Sequence, residues 1–446
     1  MSQKRFLCLC VFGFILGLLQ AQDKVRVLDG KNDTPLVGVN VVAVKSTVTD
    51  EEGFFHLENI GVLSDSDTIT LSHIGYETKK MMGYEMKKER VIYLIPRSYL
   101  IEEISVSKEK FKYESVVYEA LTPLKYGVYS FGATLVGDSI FVIGGDATIK
   151  DESYSHYIYK HNSGKLQIYD IKNDCWSVSK TKFSNRANHN IHYAKGKIYV
   201  LGGKRLSPNP EKEYLNDLVE VYDIQQELLL SSNSNPHQAV DFASGLYEDA
   251  IIVMNGAIRK HKDKKIHTHK VHLFDLNTGY WYEMDTVPCA YEATAIAVDS
   301  VLYQVGRVKN QAMGFINSYH FLSGIYRTEA ILPFLLERPA LAYNEEKRTL
   351  YIYERSMLLA YDLETKEICR YRIDLDLMYS QMVCKGNYLY IIGGKVLDED
   401  SEFKKIMGEE FEFPGEVISV PSSSLFRVDV NTLASTKFNK VPDRSL

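Results

Sequence analysis

The sequence predicts an all-β protein: a small N-terminal β-sandwich followed by a six-bladed β-propeller. Three observations lead there. Residues 24–106 run as short stretches of alternating apolar and polar residues between turn formers. From Ile140 onward an apolar stretch closed by glycine recurs with a period of about 50 residues. A second signature, an apolar residue followed by Asp, comes downstream of these stretches. Composition fits a globular chain, with 446 residues, 45% hydrophobic and 25% charged. A formal net charge of −6 argues against a nucleic-acid binder, which would need a basic face. Six cysteines are too sparse for a disulfide scaffold.

Residues 1–21 read as a secretory signal peptide. Lys4 and Arg5 precede an apolar run from Phe6 to Leu19, and Ala21 is the small residue at the cleavage point. The run falls short of the roughly 20 residues that a spanning helix needs. No later stretch is long and apolar enough to span, so the mature chain is expected to carry no transmembrane segment. Of the cysteines beyond the signal, Cys175, Cys289, Cys369 and Cys384, none forms a CxxC pair for zinc or redox chemistry.

Residues 22–107 are expected to form the β-sandwich. Strand-like runs at 24–28, 39–44, 53–57 and 68–72 are separated by Asp29-Gly30, Thr34-Pro35, Asp50 to Gly53 and Gly61, as short period-2 strands between turns require. Thr34-Pro35-Leu36-Val37-Gly38-Val39, Thr49-Asp50-Glu51-Glu52-Gly53-Phe54 and Ser72-His73-Ile74-Gly75-Tyr76 occur in order, followed by Leu100 to Val106. This series resembles the carboxypeptidase-regulatory-like domain of exported Bacteroidetes proteins. The resemblance implies a non-enzymatic spacer or docking module. Asp50, Glu51 and Glu52 read as a hairpin turn rather than a cation site, because short carboxylates bond their own turn backbone.

Residues 108–122 are a linker or a ring-closing strand, and 123–442 carry the repeats. The apolar-glycine motif stands at Ile140–Gly145, Ile198–Gly203 and Leu389–Gly394, with weaker copies at Ile251–Gly256 and Leu302–Gly306. The weakest, Leu350-Tyr351-Ile352-Tyr353-Glu354, has lost both glycines. Downstream, Tyr169-Asp170 leads to Trp176 and Phe274-Asp275 to Trp281, with variants at Tyr222-Asp223, Tyr361-Asp362 and Val428-Asp429. The pattern resembles the kelch repeat, and six copies imply a six-bladed propeller. Either Phe111 to Leu121 or Ser435 to Val441 supplies the strand that completes the last blade.

Chemical motifs are few. There is no GxSxG, phosphate loop or HExxH. Copper oxidases and bacterial sialic-acid epimerases share the kelch fold, yet no catalytic motif of either is present to carry over. No cofactor and no metal is expected. His261, His267, His269 and His272 lie in a Lys-rich loop without an acid or Cys to complete a ligand set. Long loops at 146–165, 204–217, 257–270 and 395–423 gather on one propeller face, where recognition usually lives. Two are oppositely charged: six cations against Asp263 in 259–270, and eight acids against Lys404 and Lys405 in 398–416.

Repeat arithmetic gives a second constellation at the channel mouth. Arg186 and Arg338 occupy equivalent positions, Tyr129, Tyr291 and Tyr379 fall 14 or 15 residues before the glycine-equivalent, and His237 enters the matching stretch of its blade. Arg binds carboxylates bidentately, and Tyr stacks on sugars and peptides. Both arginines would serve equally to hold neighbouring blade loops. The expectation is a non-catalytic module in the periplasm or at the outer membrane and cell surface, binding a protein or glycan partner through one propeller face. The alternative is a glycan-acting enzyme of the kelch type, such as a sialic-acid epimerase; a perturbed acid beside Arg186 or Arg338 would favour it. N-terminal sequencing of the exported protein should find a start near Gln22 or Asp23; an intact Met1 in that fraction would refute the signal peptide.

Overall fold

The computed structural model describes residues 24–61, 63–73, 76–96, 115–150, 158–207, 212–261, 264–307, 313–397, 419–436 and 439–440. The expected signal peptide, the 100–106 exit motif and the acidic 398–416 loop lie outside the described residues. The chain divides into two compact units, residues 1–110 and 111–445. Both are β-structured, as expected. Among the described residues no helix is long and apolar enough to cross a membrane.

In the first unit, Lys24–Asp29 lies between Phe54–His56 and Val91–Leu94, and a four-stranded sheet is built from Ser46–Val48, Asn40–Val42, Thr68–Ser72 and Lys79–Met82. Alternate residues of both sheets, Val25, Val27, Phe55 and Ile92 with Val41, Ile69 and Leu71, form one core. Successive side chains of a strand face opposite ways, so one face of each sheet is apolar. Asp50 accepts the N–H groups of Glu52 and Phe54 at 3.0 and 2.8 Å, the turn role its spacing implied.

Among its described residues the second unit holds six antiparallel sheets of four or five strands, apart from two-stranded hairpins. They open in chain order with Gly132–Val136, Asn190–Ala194, Ala243–Tyr247, Ala293–Val298, Ala340–Asn344 and Gln381–Lys385, and are numbered one to six here. Each opening strand packs against the next, and that of sheet six packs against that of sheet one, so the series closes on itself.

The second strand of each sheet explains the repeated apolar signature. In Ser139–Ile143, Ile140 and Val142 join a cluster with Tyr390, Ile392 and Leu425 of sheet six. Phe141 and Ile143 face the other way, to Ile198, Val200 and Tyr222 of sheet two. A strand buried on both faces reads as a continuous apolar run. The same division recurs at every junction: two to three, three to four, four to five and five to six.

The glycine pair ends this strand for a steric reason. Gly144 and Gly145 adopt φ of 67° and 102°, Gly202 and Gly203 62° and 82°, Gly393 and Gly394 54° and 106°, values costly for a side chain. The second residue donates its N–H to the following sheet: Gly145 to Arg186, Gly203 to Ala239, Gly256 to Tyr291, Arg355 to Leu377 and Gly394 to Val128, each at 2.9 Å. A Cβ on Gly203 would sit 2.5 Å from the Ala187 carbonyl oxygen. The downstream Asp is a turn residue. Asp170, Asp275 and Asp362 each accept two backbone N–H groups of their own hairpins.

The alternative left open for closure is resolved by pairing. Glu119–Ala120 completes sheet six beside Leu425–Asp429. Asn439–Lys440 adds instead to the outer edge of sheet five, beside Ile368–Arg372. At the turns between first and second strands, ion pairs tie sheets two and three (Lys195–Asp249, 2.8 Å), four and five (Asp299–Arg348, 3.5 Å) and six and one (Lys385–Asp138). A fragment of residues 111–446 should therefore unfold in one cooperative transition. A fragment starting at residue 123 lacks the closing strand and should melt roughly 3 °C lower or more. Equal melting temperatures would show that Glu119–Ala120 does not hold the ring.

Candidate functional site

Around the end of the channel marked by the glycine pairs, a set of residues adopts left-handed backbone: Ser130, Asn188, Asp241 and Tyr379, with φ of 52°, 59°, 53° and 54°. They occupy one position of the repeat, 14 residues before the glycine-equivalent. Their backbones link sheets, Ser130 N–H to Tyr379 and Asn188 N–H to Ser130. Asn and Asp tolerate this conformation better than most residues. It turns the chain inward just before the opening strands of sheets one, two, three and six.

Three of the six expected mouth residues come together here. The rings of Tyr129 and Tyr379 lie 6.3 Å apart at 36°, and the Lys395 ammonium sits 5.8 and 4.9 Å from their centres, a cation–π arrangement. The Tyr379 hydroxyl donates to Glu337 at 2.7 Å. Burial first, then that carboxylate, pushes the Tyr379 phenol well above its ordinary pKa. Arg338, 7% exposed, reaches from sheet five to Asp241 at the start of sheet three, with Nη1 at 2.8 Å from Oδ1. Asn188 donates to the same oxygen at 2.8 Å. The Arg338 contact has ion-pair distance without hydrogen-bond alignment, and Nη1 finds no other partner among the described residues. A guanidinium carries five N–H donors, more than Asp241 alone engages.

Glu354 is the residue that sequence reasoning missed. It stands where other repeats have the first glycine, and its carboxylate accepts the N–H groups of Glu337 and Arg338, both at 2.9 Å. Burial raises its pKa, against those two hydrogen bonds, and the nearby Glu337 charge adds to the rise. The loss of glycine had marked the copy only as degenerate. Glu337, Asp241, Asn188 and Lys395 were also missed. Their signal was positional: the left-handed site before each repeat, and the residue after each glycine pair.

The other three expected residues face inward. Arg186 is fully enclosed in sheet two, donating to Glu220 and to the carbonyls of Gly202 and Leu218 at 3.2 and 3.4 Å. This corrects its placement at the mouth: the residue equivalent to Arg338 braces its own sheet. Tyr291 turns into the wedge between sheets three and four, its hydroxyl donating to Gln304 at 2.9 Å and accepting from Asn317 at 3.1 Å. His237 is buried against His272, Nδ1 to Nδ1 at 2.9 Å, with its Nε2 2.8 Å from the Asn255 carbonyl. That carbonyl only accepts, so Nε2 carries the proton and Nδ1 accepts from His272. The repeat arithmetic aligned backbones, and neighbours of different size then chose each side chain's direction.

The long loops rise as two-stranded hairpins: Ile149–Lys150 with Ile158–Tyr159, Lys204–Leu206 with Glu213–Leu215, Ala257–His261 with Lys264–His267, and Lys395–Leu397 with Ser419–Pro421. They stand on sheets six, one, two and three, which are consecutive round the ring. In sheet five Arg355 and Ser356 alone join the second and third strands. Two cations of the 259–270 loop are paired with carboxylates, Lys265 with Glu292 at 2.5 Å and Lys270 with Glu283 at 2.9 Å. No group of three or more His, Cys, Asp or Glu is arranged for a metal among the described residues.

No family model matches the chain. An F-box/kelch-repeat protein of Arabidopsis thaliana is 25% identical over 173 residues, covering 38% of this chain and 40% of that protein. A second from the same plant is 25% identical over 155 residues, covering 34% and 51%. The chain thus spans about half or less of the curated relatives it matches. A solved structure titled "Structure of YjhT" aligns at 12% identity with a TM-score of 0.49, covering 61% of this chain and 92% of that one. The sequence likeness supports reading the repeated sheets as a kelch-type β-propeller.

The buried imidazoles make stability depend on pH. Burial lowers the pKa of both His237 and His192 to about 4, against an ordinary 6.5. Between these values the unfolded chain binds protons that the folded chain refuses. Stability is therefore full above pH 6.5 and falls as pH drops towards 4. Urea midpoints should decline over that window, and His237→Gln should flatten the decline. An unchanged slope in the variant would remove His237 from the account.

Proposed function

We propose that this chain is an exported, non-catalytic binding protein of the cell envelope. Its second unit is a six-bladed kelch propeller that recognises a protein or glycan partner through the hairpin-bearing face. Its first unit is a carboxypeptidase-regulatory-like sandwich acting as spacer or docking module. The observation that carries the reading is the mouth itself, where a nearly buried guanidinium, an ammonium and two tyrosine rings converge beside three carboxylates. Such a surface offers charge-assisted bonds to an acidic group and aromatic faces to a ring.

A glycan-acting kelch enzyme, such as a sialic-acid epimerase, is the second reading. Glu354 favours it: a buried carboxyl of raised pKa directly beside Arg338 is the feature expected of an acid–base site. Binding to a glycan and peptide array, followed by NMR of each hit incubated with the protein, separates the two. Turnover abolished in Glu354→Gln would establish the enzyme.

For any array hit, Arg338→Ala should weaken binding tenfold or more, about 1.4 kcal/mol. Arg186→Ala should instead destabilise the fold by about 3–5 kcal/mol, because it leaves Glu220 buried without its partner. Full binding by Arg338→Ala, with its circular dichroism intact, would move the site out to the hairpins.

A further inference from the structure

The mouth is walled unevenly. Hairpins stand on four consecutive blades, six, one, two and three, whereas blade five turns from its second to its third strand through Arg355 and Ser356 alone. The rim is low there. Arg355 occupies that gap, exposed, with left-handed backbone at φ 55° and its N–H spent on Leu377. Its Nη2 lies 3.0 Å from the Met378 sulfur, and among the described residues no carboxylate is within ion-pair distance of it. Met378 precedes Tyr379 and pairs through its backbone with Lys395, so the exposed guanidinium contacts the segment that carries Tyr379. Glu354 accepts the Arg338 N–H and precedes Arg355 in the chain, so blade five carries all three beside one another.

We infer that the mouth takes a linear acidic oligosaccharide, holding one carboxylate-bearing sugar between Arg338, Lys395 and the tyrosines while the chain leaves over blade five, its next carboxylate on Arg355. This rests on the binding reading above and names its ligand class. The mixed charge of the site selects the class. Sugar hydroxyls are donors that Glu337 and Asp241 can accept, while sugar carboxylates need the three cations. An acidic peptide presents carboxylates without an equal supply of hydroxyls. The exit over blade five adds a second charge-assisted contact that a single sugar cannot make.

The test is calorimetric titration of the mature protein with two series, oligogalacturonates and α2,8-linked oligosialic acids, each from monomer to hexamer, with poly-glutamate of matched charge as the peptide arm. In at least one series affinity should rise about tenfold or more from monomer to trimer, then level off. Arg355→Ala should bring the trimer back to the monomer's affinity, and Arg355→Lys should restore part of the gain. Binding of a monomer with no gain in length, or a gain that survives Arg355→Ala, overturns this inference and leaves the binding reading standing. Binding of poly-glutamate alone overturns the glycan class. No binding by any sugar or by poly-glutamate overturns this inference, and leaves the binding reading to the wider glycan and peptide array.

Discussion

A strand that is apolar on both faces cannot be satisfied by its own sheet, and the larger unit depends on that constraint. Each second strand divides its side chains between two neighbours, as Ile140 and Val142 face sheet six while Phe141 and Ile143 face sheet two. A row of such sheets would leave apolar surface bare at both ends. Closing the row removes the ends. The clusters therefore number one per junction, and the junction between sheets six and one resembles the others in composition. The repeated inter-sheet hydrogen bond of the second glycine position follows from the same closeness.

Because closeness at the axis forbids side chains, the exceptions carry information. Sheet five replaces the pair with Glu354 and Arg355, where sheets one, two and six hold two glycines. Glu354 offsets the loss by accepting the N–H groups of Glu337 and Arg338, just ahead of the sheet's opening strand. Asn255 in blade three does something similar, keeping φ at 62° and donating to Gln304 at 2.9 Å. A residue that breaks a structural rule and brings its own partners is the kind that function retains.

The architecture was legible because it rests on periodicity. Strand positions, the hairpin role of Asp170 and Asp275 and the crowding at Gly144-Gly145 all follow from local chemistry repeated along the chain. Closure was not legible: two short segments, Glu119–Ala120 and Asn439–Lys440, both read as strands, and only three-dimensional pairing assigns them to different sheets. The mouth was half legible. Spacing found Tyr129, Tyr379 and Arg338, yet the same spacing also gave Arg186 and Tyr291, which turn inward. Register fixes where a Cα lies, whereas partners such as Glu220 and Gln304 decide where the side chain goes, and those partners lie in other strands.

The strand that completes sheet six lies some 300 residues before its partner in the chain. A ribosome delivers Glu119–Ala120 early and Leu425–Asp429 much later. The first four sheets are contiguous in sequence and free to assemble as they emerge, but the last waits for the end of the chain while its early strand is held open. That wait leaves an unpaired edge and an apolar flank exposed to any neighbour of the same kind. The interval between the first strand and its partner is when a holding chaperone matters most.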